Sequence, residues 1–242
     1  MILAQMYHQI EADRAKYSND KEMLREHFLY IKKHFKTIFP YEKPSGRLSV
    51  IISFDDGYYS FYRYVFPLLL ELELKAILAV CPKYVLQDTS QSEQARLSIS
   101  YANSFEKYEL APFCTARELV EMAESGVVEI ASHSYSHIDL TQCAEALEYE
   151  LKESKLYLES LLQRDVNSFV FPFGKYDEVS LAGAKRHYDY IFRIGGAINF
   201  SINEKELIYR VNCDNLKIPD EPYKSRNLIK YVLKRAIKGV RF

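Results

Sequence analysis

The chain alternates between short runs that are apolar throughout and longer stretches whose apolar residues recur at helical spacing. Runs of the first kind are Ile2 to Ile10, Val50 to Ile52, Lys75 to Val80, Val127 to Ala131, Ser168 to Phe171, Tyr190 to Ile194 and Leu207 to Val211. Bounded by turn residues, they predict strands buried on both faces. Helical patterns lie between them. After the capping pair Asn19-Asp20, the spacing of Met23, Phe28, Ile31 and Phe35 predicts a helix. Tyr58 to Leu72 predicts a second helix, with Pro67 as a kink or break. Thr115-Ala116-Arg117-Glu118 is a capping box, opening a helix that stops at Gly126. Thr141 to Gln163 predicts a long helix, with Leu147, Leu151, Leu158 and Leu162 on one side, and Asp177 to His187 predicts another. This repeated strand-then-helix order predicts an α/β protein with a mainly parallel sheet.

Three stretches depart from the alternation. Pro40 to Gly46 reads as a turn-rich linker, and Gly195-Gly196 as a turn. Gln87 to Pro112 is polar, irregular and too long for a simple connection, which is the character of a functional loop or lid. The tail, Glu221 to Phe242, is helical in pattern and basic, with Lys224, Arg226, Lys230, Lys234, Arg235, Lys238 and Arg241 against the single acid Glu221. Such a helix either packs its Leu228, Val232, Leu233 and Ile237 side on the domain or lies peripherally on an anionic membrane. The expected organisation is therefore one domain over residues 1–218 followed by a basic C-terminal helix over 219–242.

Composition narrows the function classes. At 242 residues, 48% apolar and 27% charged, the chain can bury one substantial core. Twenty tyrosines and fourteen phenylalanines, with no tryptophan, suit a large core and a carbohydrate-facing cleft equally. The formal net charge of −1 gives no electrostatic case for a nucleic-acid partner. No apolar run is long enough to cross a membrane as a helix. The start, Met1 to Tyr7, has neither a basic segment nor a long apolar one, so it is not a secretory signal as written. The expectation is a cytoplasmic protein, membrane-associated if the tail anchors it; an extracellular or periplasmic one follows if a leader preceded this stretch. Cys81, Cys114, Cys143 and Cys213 are widely spaced with no C-x-x-C, which argues against a zinc knuckle and a disulfide framework. Cys81 and Cys213, in apolar strand contexts, are expected as reduced core residues.

The chemistry gathers at strand ends. Val50 to Ile52 runs into Ser53-Phe54-Asp55-Asp56-Gly57, and two carboxylates at the mouth of a buried strand either cap the next helix or pair with a cation. Val127 to Ala131 delivers His133 and His137, four apart, to the C-terminal end of its own strand. In parallel α/β folds those ends share one side of the sheet. One carboxylate and two imidazoles make a set of three that leaves coordination positions open, the arrangement of a catalytic rather than a structural zinc site. The second carboxylate is then free to act as a base.

The segments Ser53-Phe54-Asp55-Asp56-Gly57, His133-Ser134-Tyr135-Ser136-His137-Ile138-Asp139-Leu140 and Phe171-Pro172-Phe173-Gly174 resemble the first three motifs of the polysaccharide deacetylases, the NodB-homology family or carbohydrate esterase family 4. Met6-Tyr7-His8 is similar to the opening strand of the subgroup that de-N-acetylates poly-N-acetylglucosamine. The resemblance implies a distorted (β/α) barrel with fewer than eight repeats. It implies a divalent metal, zinc first, with cobalt, nickel and manganese as alternatives, held by Asp56, His133 and His137. Asp55 would be the general base, and the backbone N–H of Phe173 an oxyanion donor. The implied reaction is metal-dependent hydrolysis of an N-acetyl group from an amino-sugar glycan or from its nucleotide- or lipid-linked precursor. A catalytically degenerate glycan- or metal-binding member, a deformylase and an O-acetyl esterase are the alternatives.

Three departures from the family pattern stand out. Val170 occupies the place of the arginine that usually orients the base, and a chain without tryptophan lacks the fourth motif. The late strand Ile208-Tyr209-Arg210-Val211-Asn212 has no histidine to serve as general acid. Arg210 is a candidate electrostatic support for Asp55, while His8 and His187 are expected to be structural and superficial, respectively. The general acid is left open.

Overall fold

The computed structural model describes residues 1–10 and 17–239. Each apolar run becomes a strand: β1 (Ile2–Tyr7), β2 (Ser49–Phe54), β3 (Ala76–Val80), β4 (Val128–Ser132), β5 (Ser168–Val170), β6 (Tyr190–Ile194) and β7 (Leu207–Asn212). Consecutive strands pair in parallel, and β1 joins both β2 and β7, so the sheet closes on itself. The result is a seven-stranded (β/α) barrel, one strand short of the eightfold form. A two-residue strand, Lys36–Thr37, pairs with the start of β2.

The pleat explains why the strands are apolar on both faces. Ile2, Ala4, Ile51, Ile77, Ala79, Ala131, Val170 and Ile208 fill the barrel interior. Their alternates, among them Leu3, Val50, Ile52, Leu78, Val128 and Ile130, pack outward against Leu24, Phe28, Leu119, Met122, Leu151 and Leu158 of the surrounding helices. Those helices are α1 (Lys21–His34), α2 (Phe66–Leu72), α3 (Ala116–Glu124), α4 (Leu147–Leu162), α5 (Glu178–His187) and α6 (Ser225–Gly239). Asp20 caps α1 by accepting from the Met23 amide, and Thr115 with Glu118 closes both halves of the capping box on α3. Asp177 caps α5.

Local chemistry moves several boundaries from their expected places. The second helix runs through residues 59–72 as expected, but Phe61–Val65 is π-helical and only α2, with Pro67 in its first turn, is regular α-helix. The fourth begins at Leu147 rather than Thr141, because the Asp139 carboxylate accepts from both the amide and the hydroxyl of Thr141 and holds a turn there. The segment from Gln87 to Pro112 is not wholly irregular, since Glu93–Leu97 and Tyr101–Ser104 are helical turns. Arg96 pins it, donating to the Ala111 and Phe113 carbonyls and, through both terminal nitrogens, to Glu118.

The tail is helical from Ser225 to Gly239; residues 240–242 lie outside the described residues. Its packing differs from the expected face. Leu228 and Val232 are half-buried together with Tyr231, but Leu233 and Ile237 stand in solvent at 59% and 62% exposure. Just before the helix, Tyr223 is buried and stacks on Phe35 and Tyr30, which fixes where the helix departs. No helix among the described residues is long and apolar enough to cross a membrane. Cys81, Cys114 and Cys213 are buried free thiols, and Cys143 is a half-buried one.

Candidate active site

Following the inward-facing positions to the C-terminal mouth of the barrel leads directly to the charged residues. On β1 the series Ile2, Ala4, Met6 continues to His8, and on β2 the series Ile51, Ser53 continues to Asp55. Ala131 on β4 is followed two residues later by His133, and Ile208 on β7 by Arg210. Four strands far apart in sequence thus aim side chains into one space.

Asp56, His133 and His137 offer ligand atoms that all lie within 4.8 Å of one another. Nε2 of His137 and of His133 stand 3.2 and 3.5 Å from one Asp56 oxygen. Neither Asp56 oxygen has a hydrogen-bond partner although both are buried. A buried carboxylate with no hydrogen-bond partner, facing two imidazole nitrogens, fits a divalent transition metal, because the donors are of the right kind and converge. Burial pushes the Asp56 carboxyl up, but the facing imidazoles of His137 and His133 more than offset this and hold it well below the usual range. Contacts behind the two imidazoles fix their orientation. Nδ1 of His133 donates to the Val170 carbonyl at 2.8 Å, which orients Nε2 toward Asp56. The His137 amide donates to Ser134 Oγ, and the ring of His137 is stacked on Phe105 at 4.5 Å and 13°.

Backbone conformation places these groups as much as side-chain packing does. Asp56, Ser134, His137 and Phe173 all adopt left-handed φ values between 57° and 71°, which is uncommon outside glycine. Strained positions gathered at one mouth are maintained only by surrounding contacts and point to a functional constraint. The Phe173 turn depends on the next residue. Gly174 has φ +64°, and a Cβ there would stand 2.8 Å from Ile194 side-chain atoms. The Phe173 ring is 53% exposed and lies 4.7 Å from that of His137, so the turn faces the mouth.

Asp55 has different surroundings from its neighbour. Arg210, fully buried, grips it through Nη1 and Nη2 at 2.5 and 2.8 Å and donates also to Ser53 Oγ. Burial raises the Asp55 carboxyl, but the charges of Arg210 and His133 and the Arg210 hydrogen bonds outweigh burial and hold it below the ordinary range. The guanidinium comes from the last barrel strand, β7.

His8 completes the group. Its Nδ1 lies 2.7 Å from Asp214 Oδ2, its amide donates to the other Asp214 oxygen, and its Nε2 is 3.9 Å from Asp55. Burial alone would depress the imidazole; the Asp214 hydrogen bond and charge, then the charge of Asp55, raise it to about 9. The sequence pattern assigns His8 a structural place and does not single out Asp214. The available signal was position, since His8 and Asp214 each lie just beyond the C-terminal end of a strand. Tyr17 and Tyr101 pack around the His8 ring. His187, by contrast, sits on α5 and pairs with Glu148 at the surface.

A parallel barrel that gathers a carboxylate and two imidazoles at its C-terminal mouth matches the class of metal-dependent barrel hydrolases. The chain belongs to the polysaccharide deacetylase family, whose model matches residues 42–190. It is 28% identical over 181 residues to the poly-β-1,6-N-acetyl-D-glucosamine N-deacetylase of Escherichia coli K12. That match takes in 63% of this chain but 26% of the relative, so the chain spans about a quarter of the curated protein it matches. Among solved structures, the deacetylase PplD of Streptococcus pyogenes, in complex with acetate, superposes with a TM-score of 0.75 at 20% identity, covering 96% of this chain and 97% of that one. IcaB from Ammonifex degensii does so at 0.70 and 16% identity, covering 88% and 92%. At these identities the structural likeness concerns the fold.

Proposed function

We propose that this chain is a metal-dependent carbohydrate N-deacetylase. Its substrate is an amino-sugar glycan of the poly-N-acetylglucosamine kind, or a nucleotide- or lipid-linked precursor of one. The observation that carries the reading is the contrast between two adjacent carboxylates. Asp56 has no hydrogen-bond partner and faces two imidazoles, while Asp55 is clamped by Arg210 and lies beside His8.

In this reading Asp56, His133 and His137 hold the ion, with zinc the best match to the donor set and cobalt, nickel or manganese able to replace it. When bound, the ion supplies Lewis acidity toward the acyl carbonyl and the attacking water. Asp55 takes the proton from that water as it adds to the carbonyl carbon. Arg210 keeps Asp55 ionised and fixed in rotation, acting through Asp55 rather than on substrate. The Phe173 N–H donates to the tetrahedral oxyanion from its left-handed turn. As the C–N bond breaks, His8, kept protonated by Asp214, gives its proton to the departing amine. The proton on Asp55 then returns to His8 across the short gap between them, which resets both groups. The products are a free amino sugar and acetate.

The test is release of primary amine from β-1,6-linked N-acetylglucosamine oligomers, chitin oligomers and nucleotide-linked N-acetylglucosamine, using zinc-loaded protein. Asp55→Asn is expected to lower kcat by about 10²–10⁴-fold while retaining zinc, and His8→Gln by a similar factor. His133→Ala is expected to lose the metal. Zinc-loaded protein that releases no amine from any of these substrates, or that cleaves only O-acetyl esters, would rule the reading out.

A further inference from the structure

Helix α6 has two apolar rows, and the barrel covers one. Leu228, Tyr231 and Val232 are half-buried against the body, where the Ile198 amide donates to the Tyr231 carbonyl and Arg235 lies over the Tyr209 ring. The other row, Ile229, Leu233 and Ile237, is exposed at 59%, 59% and 62%. At four-residue spacing these side chains follow one line along the helix, about 12 Å long. Beside it runs a second line, Arg226, Lys230 and Lys234, all exposed. Each basic residue precedes its apolar neighbour by three positions, so the two rows are adjacent.

We propose that this face of α6 seats the protein on an anionic lipid bilayer. The apolar row would enter the boundary between headgroups and acyl chains while the basic row pairs with lipid phosphates, the arrangement of an interfacial helix. Charge selects this occupant. The helix carries five basic residues and no acid within a chain of formal net charge −1, so the rest of the protein is net acidic and the positive charge is concentrated here. A second copy docking the same face in two-fold fashion would bring two helices together that each carry five basic residues and no acid, which electrostatics disfavours. The inference is independent of the deacetylase reading, because it uses no residue at the barrel mouth.

The experiment is co-sedimentation of the full chain with phosphatidylcholine vesicles and with vesicles containing about a quarter phosphatidylglycerol, at roughly 0.1 M and 0.5 M salt. Partitioning onto the anionic vesicles is expected to exceed that onto neutral ones by ~10-fold or more, and to fall toward the neutral level at the higher salt. Ile229→Gln with Leu233→Gln and Ile237→Gln, which keeps helix propensity, should reduce partitioning ~10-fold or more. Arg226→Glu with Lys230→Glu and Lys234→Glu should abolish the preference for anionic lipid. All six positions are exposed, and an unchanged circular dichroism spectrum confirms that each variant is folded. Equal partitioning onto both vesicle types, or binding unaffected by either set of changes, overturns the proposal. So does a dimer in size-exclusion chromatography that the glutamine variant dissolves, with no vesicle binding by the wild type.

Discussion

Asp55 and Asp56 are adjacent in sequence and opposite in circumstance: one is gripped by a guanidinium, the other has no hydrogen-bond partner and faces two imidazole nitrogens. That both acids lie at a strand mouth was legible from the apolar run before them, and the period of two explains why Asp55 turns inward with Ile51 and Ser53. Which groups attend Asp55 was not legible. His8 and Asp214 are 206 residues apart, and only closure of the barrel through β1 and β7 brings them together. Arg210 could be singled out by its strand position, but the two-pronged grip on Asp55 is a fact of geometry. The His8–Asp214 pair carries a pH signature. An imidazole raised from 6.5 to about 9 on folding contributes stability that is complete below pH 6.5 and is lost as pH rises through 9. In chelator-treated protein, His8→Asn is therefore expected to be less stable than wild type by about 1–3 kcal/mol near pH 6, with the gap closing above pH 9. Thermal melts of the two proteins across that range measure it; a constant gap would show that His8 does not gain its proton on folding.

The loop that carries both histidines is held from the side by a helix. Glu150, buried in the first turn of α4, accepts from the Ser136 amide at 2.9 Å and from the Ser136 hydroxyl at 2.5 Å, while its own carbonyl accepts from the Tyr135 amide. These bonds fix the chain between His133 and His137 and sustain the left-handed turns at Ser134 and His137. Glu150→Ala is expected to weaken metal binding by about 10–100-fold with the ligands themselves intact, as read by competition with a chromophoric chelator. An unchanged affinity would mean that the Phe105 stack and the Ser134 hydroxyl suffice to place His137. Among the elements, those with their own punctuation were legible: Asp20, the Thr115–Glu118 box and Asp177 each mark a helix start with a side-chain hydrogen bond. The start of α4 was misplaced because Thr141 bonds to Asp139 rather than beginning a helix. The tail's amphipathic pattern was visible, but it supports two apolar rows, and which one the barrel covers depends on contacts with Tyr209 and Ile198 that no local pattern encodes.

The two ends of the barrel treat buried charge differently, and together they set how global stability follows pH. At the C-terminal mouth Asp55 and Asp56 are depressed by their partners, so their stabilisation is present above the ordinary carboxylate range and is lost as pH falls below it. Glu129 is different. This β4 residue precedes the mouth, and one of its oxygens is buried without a partner while the other accepts from Ser168. Burial raises its carboxyl to about 7, with the Ser168 hydrogen bond only partly offsetting the penalty. Its sign is that of a raised acid: the favourable contribution is complete below pH 4.5 and disappears as pH rises through 7, because the folded chain must then bury an uncompensated charge. His8 removes a further contribution between 6.5 and 9. Metal-free protein should consequently be most stable on the acid side of neutrality, near pH 5–6. Glu129→Gln replaces the ionisable group by a neutral one of the same shape. It is expected to gain about 1–3 kcal/mol over wild type at pH 8 and little at pH 5, flattening the first part of the alkaline decline and leaving the part that belongs to His8. Urea titrations of both proteins in chelator at those pH values decide it: an equal difference at both would assign the change to packing around Ser168, and a variant less stable at pH 8 would show that the Glu129 charge is compensated in the folded barrel.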